Sequence, residues 1–484
     1  MQDRKDAGSR ADRTAQLLLL VILAVAAALR IHDLDRTSLW YDEAVSWSQS
    51  TGSFGQLLSS VAADNYPPLH NIILWSTMPL IGDSEFALRL PSALLGVMAV
   101  GLIYLGGKMM QGRAAALTAA ALLALSPFHV WYSTEARMYA LLAACGLAFL
   151  VSTLKVLRSP RPAWVIALSL SGALFLYSHV YALLAFASVG CVCAGLVLSG
   201  FLRSGSMAWK KPLIACCAMA VSALLFLPWL LILMNRARSV ADAGFWIAYP
   251  DLAFLKGMAF SMAGSMVLFW LLSGLALFSL ALSLMRSLGS GSRHKDRTYA
   301  LPVIVGYTIG PLLLAYLYSV LVQPILFDRY LIAAWPGLLI MASDGASRLN
   351  QRLAPVALVL IAMTLTYPEL RFTLLEKIRP EWRDVVHDYK SLRSPDDHLI
   401  LFKGFSAPAL AYYLRDEDGF EPAETTEDLM SLSRSSASDW LLIVHSGPEE
   451  TERAADLFRA DVSRPAAQYF GWGASGLKLL KIER

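Results

Sequence analysis

Leu17-Leu18-Leu19-Leu20-Val21-Ile22-Leu23-Ala24-Val25-Ala26-Ala27-Ala28-Leu29 and, shortly after it, Leu39-Trp40-Tyr41-Asp42-Glu43-Ala44 decide how this chain is read. The first run is apolar and, with its flanks, long enough to cross a bilayer, which takes about 20 residues. The second places two adjacent acids just beyond that run, at the surface of the membrane it would enter. The basic N-terminal region, the apolar run and the small residues Ala24 to Ala28 also fit a secretory signal. The many apolar segments that follow favour a retained first span.

Those segments set the class. Of 484 residues, 56% are hydrophobic and 16% are charged, with mean hydropathy +0.51. Soluble domains carry about 25% charged residues. The deficit excludes a soluble enzyme and points to a polytopic membrane protein. The formal charge of +4 gives no sign of a nucleic-acid partner. Cys145, Cys191, Cys193, Cys216 and Cys217 all fall in apolar segments, so neither disulfides nor a zinc cluster is expected.

Apolar runs fall at roughly 14–31, 86–107, 114–131, 138–155, 163–178, 180–202, 212–234, 262–285, 299–321, 331–347 and 354–370, about eleven spans in all. Lys108 and Arg113; Lys155, Arg158 and Arg161; Arg203, Lys210 and Lys211; Arg286, Arg293, Lys295 and Arg297; and Arg348 and Arg352 collect in alternate loops. The other loops hold little beyond Arg137, Arg236, Arg238 and Arg329. The positive-inside rule then places the N-terminus in the cytoplasm of a cell (inner or plasma) membrane. The first outside loop, about 32–85, carries Trp40, Trp47, Phe54 and Trp75 among polar residues and reads as short amphipathic helices. Residues 1–370 form the membrane domain. Residues 371–484 are no longer membrane-like: Leu399–Phe402, Trp440–Val444 and Leu477–Ile482 read as strands, and Glu381–Leu392 and Glu449–Arg459 as helices. The fold class is a polytopic α-helical membrane protein with a small extracytoplasmic α/β domain at its C-terminus.

Polar groups at membrane depth are costly, so each outside-facing one is a candidate. Asp42 and Glu43 admit two readings. A carboxylate here can take the proton from an attacking hydroxyl, and a neighbouring acid can raise its pKa. Equally, acids suit the N-terminal end of a helix dipole, with Trp40 and Tyr41 as interfacial anchors. Ser133-Thr134-Glu135-Ala136-Arg137-Met138-Tyr139 is either a capped helix start or a second acid beside the cavity, with Arg137 steadying it or a phosphate. In Phe327-Asp328-Arg329-Tyr330, Arg329 either grips a phosphate or pairs at the interface. His70 and His179 are metal-ligand candidates or hydrogen-bonded interfacial histidines. Asp33-Leu34-Asp35 and Asp416-Glu417-Asp418 look like acid-x-acid nucleotide-sugar motifs. Neither follows a nucleotide-binding strand, and both face away from the cytoplasm. No P-loop, dinucleotide turn or nucleophile elbow occurs.

Trp40-Tyr41-Asp42-Glu43-Ala44, Tyr66-Pro67-Pro68-Leu69-His70, Glu135-Ala136-Arg137-Met138-Tyr139, Ser178-His179-Val180-Tyr181 and Arg329-Tyr330 occur in that order. The set resembles the GT-C membrane glycosyltransferases, in the branch of dolichyl-phosphate-mannose protein mannosyltransferases and lipid A aminoarabinose transferases, over about residues 14–370. Pro380-Glu381-Trp382-Arg383-Asp384-Val385 is similar to the start of the outer domain in bacterial members. The resemblance implies a polyprenyl-phosphate-sugar donor and inverting transfer to a hydroxyl of a glycolipid, glycan or protein in the cell envelope. It implies Asp42 as base with Glu43 beside it, Glu135 as the acid of the second outside loop, and Arg329 on the donor phosphate. Tyr41, Arg137, Tyr139, His179 and Tyr330 are then substrate-binding. Some relatives hold a divalent metal near an acid and a histidine; no full ligand set matches here, and His70 and His179 are the candidates. The alternative from another class is a transporter or flippase of a lipid-linked sugar. That would favour inverted repeats and broken mid-membrane helices, and no repeat is apparent.

Overall fold

The computed structural model describes residues 2–110, 112–202, 207–243, 247–289, 295–376, 378–415, 419–435, 439–471 and 476–482. Arg203, Arg293 and the Asp416-Glu417-Asp418 run lie outside the described residues. The chain forms two compact units. One comprises Met1–His32, Ser53–Ser76 and Arg89–Leu375; the other comprises Asp33–Gly52, Thr77–Leu88 and Glu376–Arg484. In chain order the helices up to the C-terminal segment are α1 (Gln2–Ile31), α2 (Tyr41–Gln49), α3 (Phe54–Ala62), α4 (Leu69–Ile81), α5 (Glu85–Met110), α6 (Arg113–Leu125), α7 (Pro127–Ser133), α8 (Tyr139–Arg158), α9 (Pro162–Ser178), α10 (Ala182–Leu202), α11 (Lys210–Ala243), α12 (Leu252–Ala263), α13 (Met266–Gly289), α14 (Lys295–Leu321), α15 (Trp335–Leu349) and α16 (Leu353–Arg371).

The first unit is a helical membrane bundle. Among the described residues, 8 helices are long and apolar enough to cross a membrane, or 9 if α6 and α7, bent by 60°, count as one span. The expected spans at 163–178 and 331–347 are helices of 17 and 15 residues, below that length. The bend lies inside the expected span 114–131 and has a local cause. Pro127 has no amide hydrogen to continue the ladder, and the Ser126 side chain caps the new start by accepting from the His129 amide. The broken end leaves carbonyls without helical partners. Arg30 of α1, fully buried, takes them: its guanidinium donates to the carbonyls of Leu123 and Ala124, each at 3.1 Å, and contacts His129 Nδ1 at 2.9 Å. A buried cation in a membrane helix is thus accounted for by acceptors that proline created.

Helices α13 and α15 show the second device. A Cβ on Gly345 would lie 2.1 Å from the Leu275 carbonyl, so only glycine allows this approach. Across the seam, Asp344 accepts from Ser279 at 2.5 Å and from Arg348 Nε at 2.7 Å, while Arg348 Nη2 donates to Ser283 at 2.8 Å. The charges are paired, as membrane depth requires. In the first loop, α3 is closed by a reciprocal capping box between Ser53 and Gln56.

The second unit is built on a five-stranded sheet of order β2-β1-β3-β5-β4. Its C-terminal elements are α17 (Trp382–Leu392), β1 (Leu399–Phe402), α18 (Ala407–Leu414), β2 (Phe420–Ala423), α19 (Thr426–Ser435), β3 (Trp440–Ile443), α20 (Pro448–Leu457), β4 (Ala467–Tyr469) and β5 (Leu477–Lys481). β1 runs parallel to β2 and β3, with Ile400 opposite Leu441; β5 is antiparallel to β3 and β4. β1 and β3 are buried on both faces, which is why they read as continuous apolar runs. One face packs Leu399, Leu401 and Leu442 against Trp382, Val385 and Leu410. The other packs Ile400, Leu441 and Ile443 against Leu429, Ala454 and Ala455. Ala44 of α2, fully buried, belongs to the first of these cores. The segment that carries the acid pair is therefore part of the α/β unit, although it lies hundreds of residues before the sheet.

Candidate functional site

In the helical unit the loops between helices bring together residues far apart in sequence. His179 stands in the turn that ends α9, with its ring centroid 4.9 Å from Tyr330, 5.5 Å from Tyr66 and 6.2 Å from Tyr139. The Arg137 guanidinium lies over the Tyr66 ring at 5.4 Å. The Arg329 guanidinium lies over Phe327, Tyr330 and Tyr139 at 4.9, 5.5 and 5.6 Å. Five of the expected site residues, Arg137, Tyr139, His179, Arg329 and Tyr330, thus form one cation–aromatic cluster.

Local structure holds each member in place. Tyr139 begins α8 and is fully buried. Ser92 donates to the Arg137 carbonyl at 3.2 Å. Arg329 and Tyr330 sit on a short 3-10 turn, Asp328–Leu331. Asp328 pins that turn, accepting from Ser261 of α12 at 2.5 Å and from the Arg329 amide at 2.6 Å. The Tyr181 hydroxyl donates to the Ile325 carbonyl. Glu135 is buried in the turn between α7 and α8.

The electrostatics follow from burial beside two cations. Burial first, then Arg137 and Arg329, push the His179 pKa down to about 3, so the imidazole is neutral at pH 7. Burial also raises the Tyr66 phenol well above its ordinary value, with further upward contributions from Tyr330 and Tyr139. A cation on an aromatic face is attracted by the ring quadrupole. Such a site suits an anion with a flat or apolar neighbour. Tyr66, Tyr181, Phe327 and Ser261 belong to the cluster or its support and are not among the expected site residues. The first three stand in stretches quoted above; nothing in local sequence marks Ser261.

Asp42, Glu43 and Tyr41 belong to the α/β unit. Glu43 is fully buried and its Oε2 accepts from the Trp40 amide at 3.3 Å, which closes the first turn of α2. Asp42 is half-buried, and its carbonyl accepts from Ser46 at 3.0 Å. The preceding residues are tied to the same unit: the Leu39 amide donates to the Tyr413 hydroxyl oxygen at 2.7 Å, and Ser38 accepts from the Arg383 amide at 3.2 Å. The Arg379 guanidinium covers the Trp40 ring at 4.8 Å, and Tyr41 meets Phe405 edge to face at 5.5 Å. The capping reading of the acid pair is thus realised in Glu43.

Among the described residues no group of three or more His, Cys, Asp or Glu side chains is placed to hold a metal. His70 is buried in the first turn of α4, and His179 in the turn after α9.

The fold and the site can be set beside known proteins. Residues 65–232 match the family model of dolichyl-phosphate-mannose-protein mannosyltransferase. The structure is similar to ArnT from Cupriavidus metallidurans in the apo state, with TM-score 0.65 and 13% identity over 97% of this chain and 98% of that one. It is similar to the same protein bound to undecaprenyl phosphate, with TM-score 0.63 and 13% identity over 96% and 97%. It is also similar to the archaeal oligosaccharyltransferase AglB from Archaeoglobus fulgidus, in complex with an inhibitory peptide and a dolichol-phosphate, with TM-score 0.59 and 13% identity over 90% and 70%. No curated protein sequence matches the chain.

Proposed function

We propose that this chain, which has the GT-C membrane glycosyltransferase fold, moves a sugar from a polyprenyl-phosphate donor to a hydroxyl of a glycolipid, glycan or protein on the outer face of the membrane. The observation that carries the reading is the cation–aromatic cluster, in which Arg137 and Arg329 lie over Tyr66, Tyr139 and Tyr330 beside neutral His179. Guanidinium groups suit phosphate, and aromatic rings suit the face of a sugar or the first prenyl units. The relatives solved with undecaprenyl phosphate and dolichol-phosphate agree with that choice of ligand.

The chemistry asks little else of the protein. Asp42 takes the proton from the acceptor hydroxyl, whose oxygen attacks the anomeric carbon as the bond to the phosphate oxygen breaks. Inversion follows from this single displacement. The departing phosphodiester becomes a phosphate monoester, and Arg329 with Arg137 stabilises the charge that grows on it. Glu43 keeps the helix start that presents Asp42, and Tyr41 is a substrate contact beside it. Glu135 supports the cluster from its buried turn. The alternation of basic loops supports an N-terminus in the cytoplasm and a C-terminal unit outside.

The purified protein in nanodiscs tests this. Supplied with a lipid-linked-sugar fraction and an envelope extract, it is expected to release polyprenyl phosphate in step with sugar appearing on acceptor. Movement of intact lipid-linked sugar across vesicles without release of polyprenyl phosphate would make it a transporter instead.

A further inference from the structure

We propose that His179 binds the donor through its Nε2–H, as a neutral hydrogen-bond donor to a phosphate oxygen of the polyprenyl phosphate, and is not a metal ligand. This rests on the reading of the cluster as a lipid-phosphate site.

The tautomer is set by the backbone. The Tyr181 amide donates to His179 Nδ1 at 3.0 Å. A peptide N–H only donates, so Nδ1 offers its lone pair, and the single proton of the neutral ring sits on Nε2. The turn geometry enforces this. His179 follows the last residue of α9 in an extended conformation, φ −165° and ψ 149°, and α10 starts only at Ala182. The short connection folds the Tyr181 amide back onto the imidazole.

The other nitrogen is left over among the described residues. The His179 side chain is 2% exposed, and Nε2 has no hydrogen-bond partner among the described residues. Buried donors in native structures are almost always satisfied, so one that is not marks a place for a ligand atom. Around it stand Tyr330, Tyr66, Tyr181 and Tyr139, together with the guanidiniums of Arg137 and Arg329 that lie over three of those rings. Of the nearby carboxyl groups, Asp328 is bound to Ser261 and to the Arg329 amide, and Glu135 is buried in the turn that also carries Arg137. An oxygen acceptor carrying negative charge matches an N–H donor flanked by two cations.

A metal does not match. Coordination through Nε2 needs its lone pair, which moves the proton to Nδ1 and sets it against the Tyr181 N–H, donor against donor. A divalent cation would also enter beside two guanidiniums, where their repulsion opposes it. Burial and the same two cations keep the ring from protonating, which preserves its one-donor form.

The test uses the full chain in lipid nanodiscs with undecaprenyl phosphate as the probe. His179→Phe keeps bulk and removes the donor; it is expected to weaken binding by roughly 10-fold or more, the range for a hydrogen bond to a charged group. His179→Gln offers an amide N–H near the Nε2 position and is expected to stay within about threefold of wild type. Ring nitrogen shifts of histidine-labelled wild type, assigned to His179 by difference from His179→Gln, are expected to show protonated Nε2 and bare Nδ1. That spectrum decides the matter if His179→Phe fails to fold. Wild-type affinity in folded His179→Phe, a protonated Nδ1, or zinc uptake at one ion per chain that His179→Gln abolishes would overturn the inference and leave the glycosyltransferase reading standing. A folded wild type that does not bind undecaprenyl phosphate would overturn both.

Discussion

The loop cluster of the helical unit and the α/β unit seat their cations differently, although elsewhere in the helical unit Arg348 pairs with Asp344 at 2.7 Å. In the loop cluster, Arg137 and Arg329 lie over aromatic rings, whose faces attract a cation. In the α/β unit, ions meet ions: Arg383 pairs with Glu85 at 2.7 Å, Lys403 with Glu450 at 2.5 Å, and Arg415 with Asp83. Glu43 there accepts from the Trp40 amide. The difference teaches where to look for ligand chemistry. An arginine beside aromatic faces suits a phosphate carried on a sugar or lipid, whereas the ion pairs of the α/β unit and the Glu43 cap serve the fold.

The comparison breaks first at Asp42. Asp42→Asn is expected to lower transfer by roughly 10²- to 10⁴-fold, the contribution of a general base, with binding of undecaprenyl phosphate unchanged. A steady-state transfer assay beside a binding titration checks it. Next, Arg329→Ala is expected to weaken donor-lipid binding by roughly 10- to 100-fold, with acceptor KM moved far less. Equal effects on donor and acceptor would remove Arg329 from the phosphate.

Glu43 sharpens the contrast within the acid pair. Glu43→Ala is expected to cost about 1 kcal/mol through loss of the cap, seen as a lower midpoint of thermal unfolding. Glu43→Gln is expected to keep both stability and transfer, because glutamine also serves in a capping box. Lost transfer in a stable Glu43→Gln would make Glu43 catalytic and the cap incidental.

The smallest effect belongs to the surface pairs. Partial burial acts to raise the Asp83 pKa, but hydrogen bonds from Arg415 and Trp47 bring it below the ordinary carboxylate value. A depressed folded pKa means stability that is present above the unfolded value of about 3.9 and is lost as pH falls through the folded one. The pair is more than one-third exposed on both sides, 40% for Arg415 and 39% for Asp83. Asp83→Asn is therefore expected to cost under about 1 kcal/mol at pH 7 and to flatten the acid limb of a stability profile.

Much of the fold was legible because burial on both faces, or passage through lipid, leaves long apolar runs. Leu399–Phe402 is found as a strand over its expected range, and α17 and α20 lie within a residue or two of the helices expected at 381–392 and 449–459. The elements that escaped are short or broken. β4 has three residues, and β2 contains Pro422 and lies at the sheet edge, where a lost amide is tolerated. The bend after Leu125 follows from a single proline within an apolar run. Tertiary facts were illegible for a different reason. That Ala44 packs into the α/β core, or that Arg137 lies over Tyr66, depends on contacts between distant segments, and no local pattern encodes them. The site motifs were visible as residues out of place in hydrocarbon, whereas the rings that organise them looked like ordinary interfacial aromatics.

The central claim is that this chain transfers a sugar and that Asp42 is its base. The most direct measurement is a mass-spectrometric profile of envelope lipids and glycans from a strain lacking the protein, complemented with wild type or Asp42→Asn at matched protein levels. The account predicts one sugar-modified species that wild type restores and Asp42→Asn does not. Restoration of that species by Asp42→Asn, or no difference between the deletion strain and its parent, would contradict it.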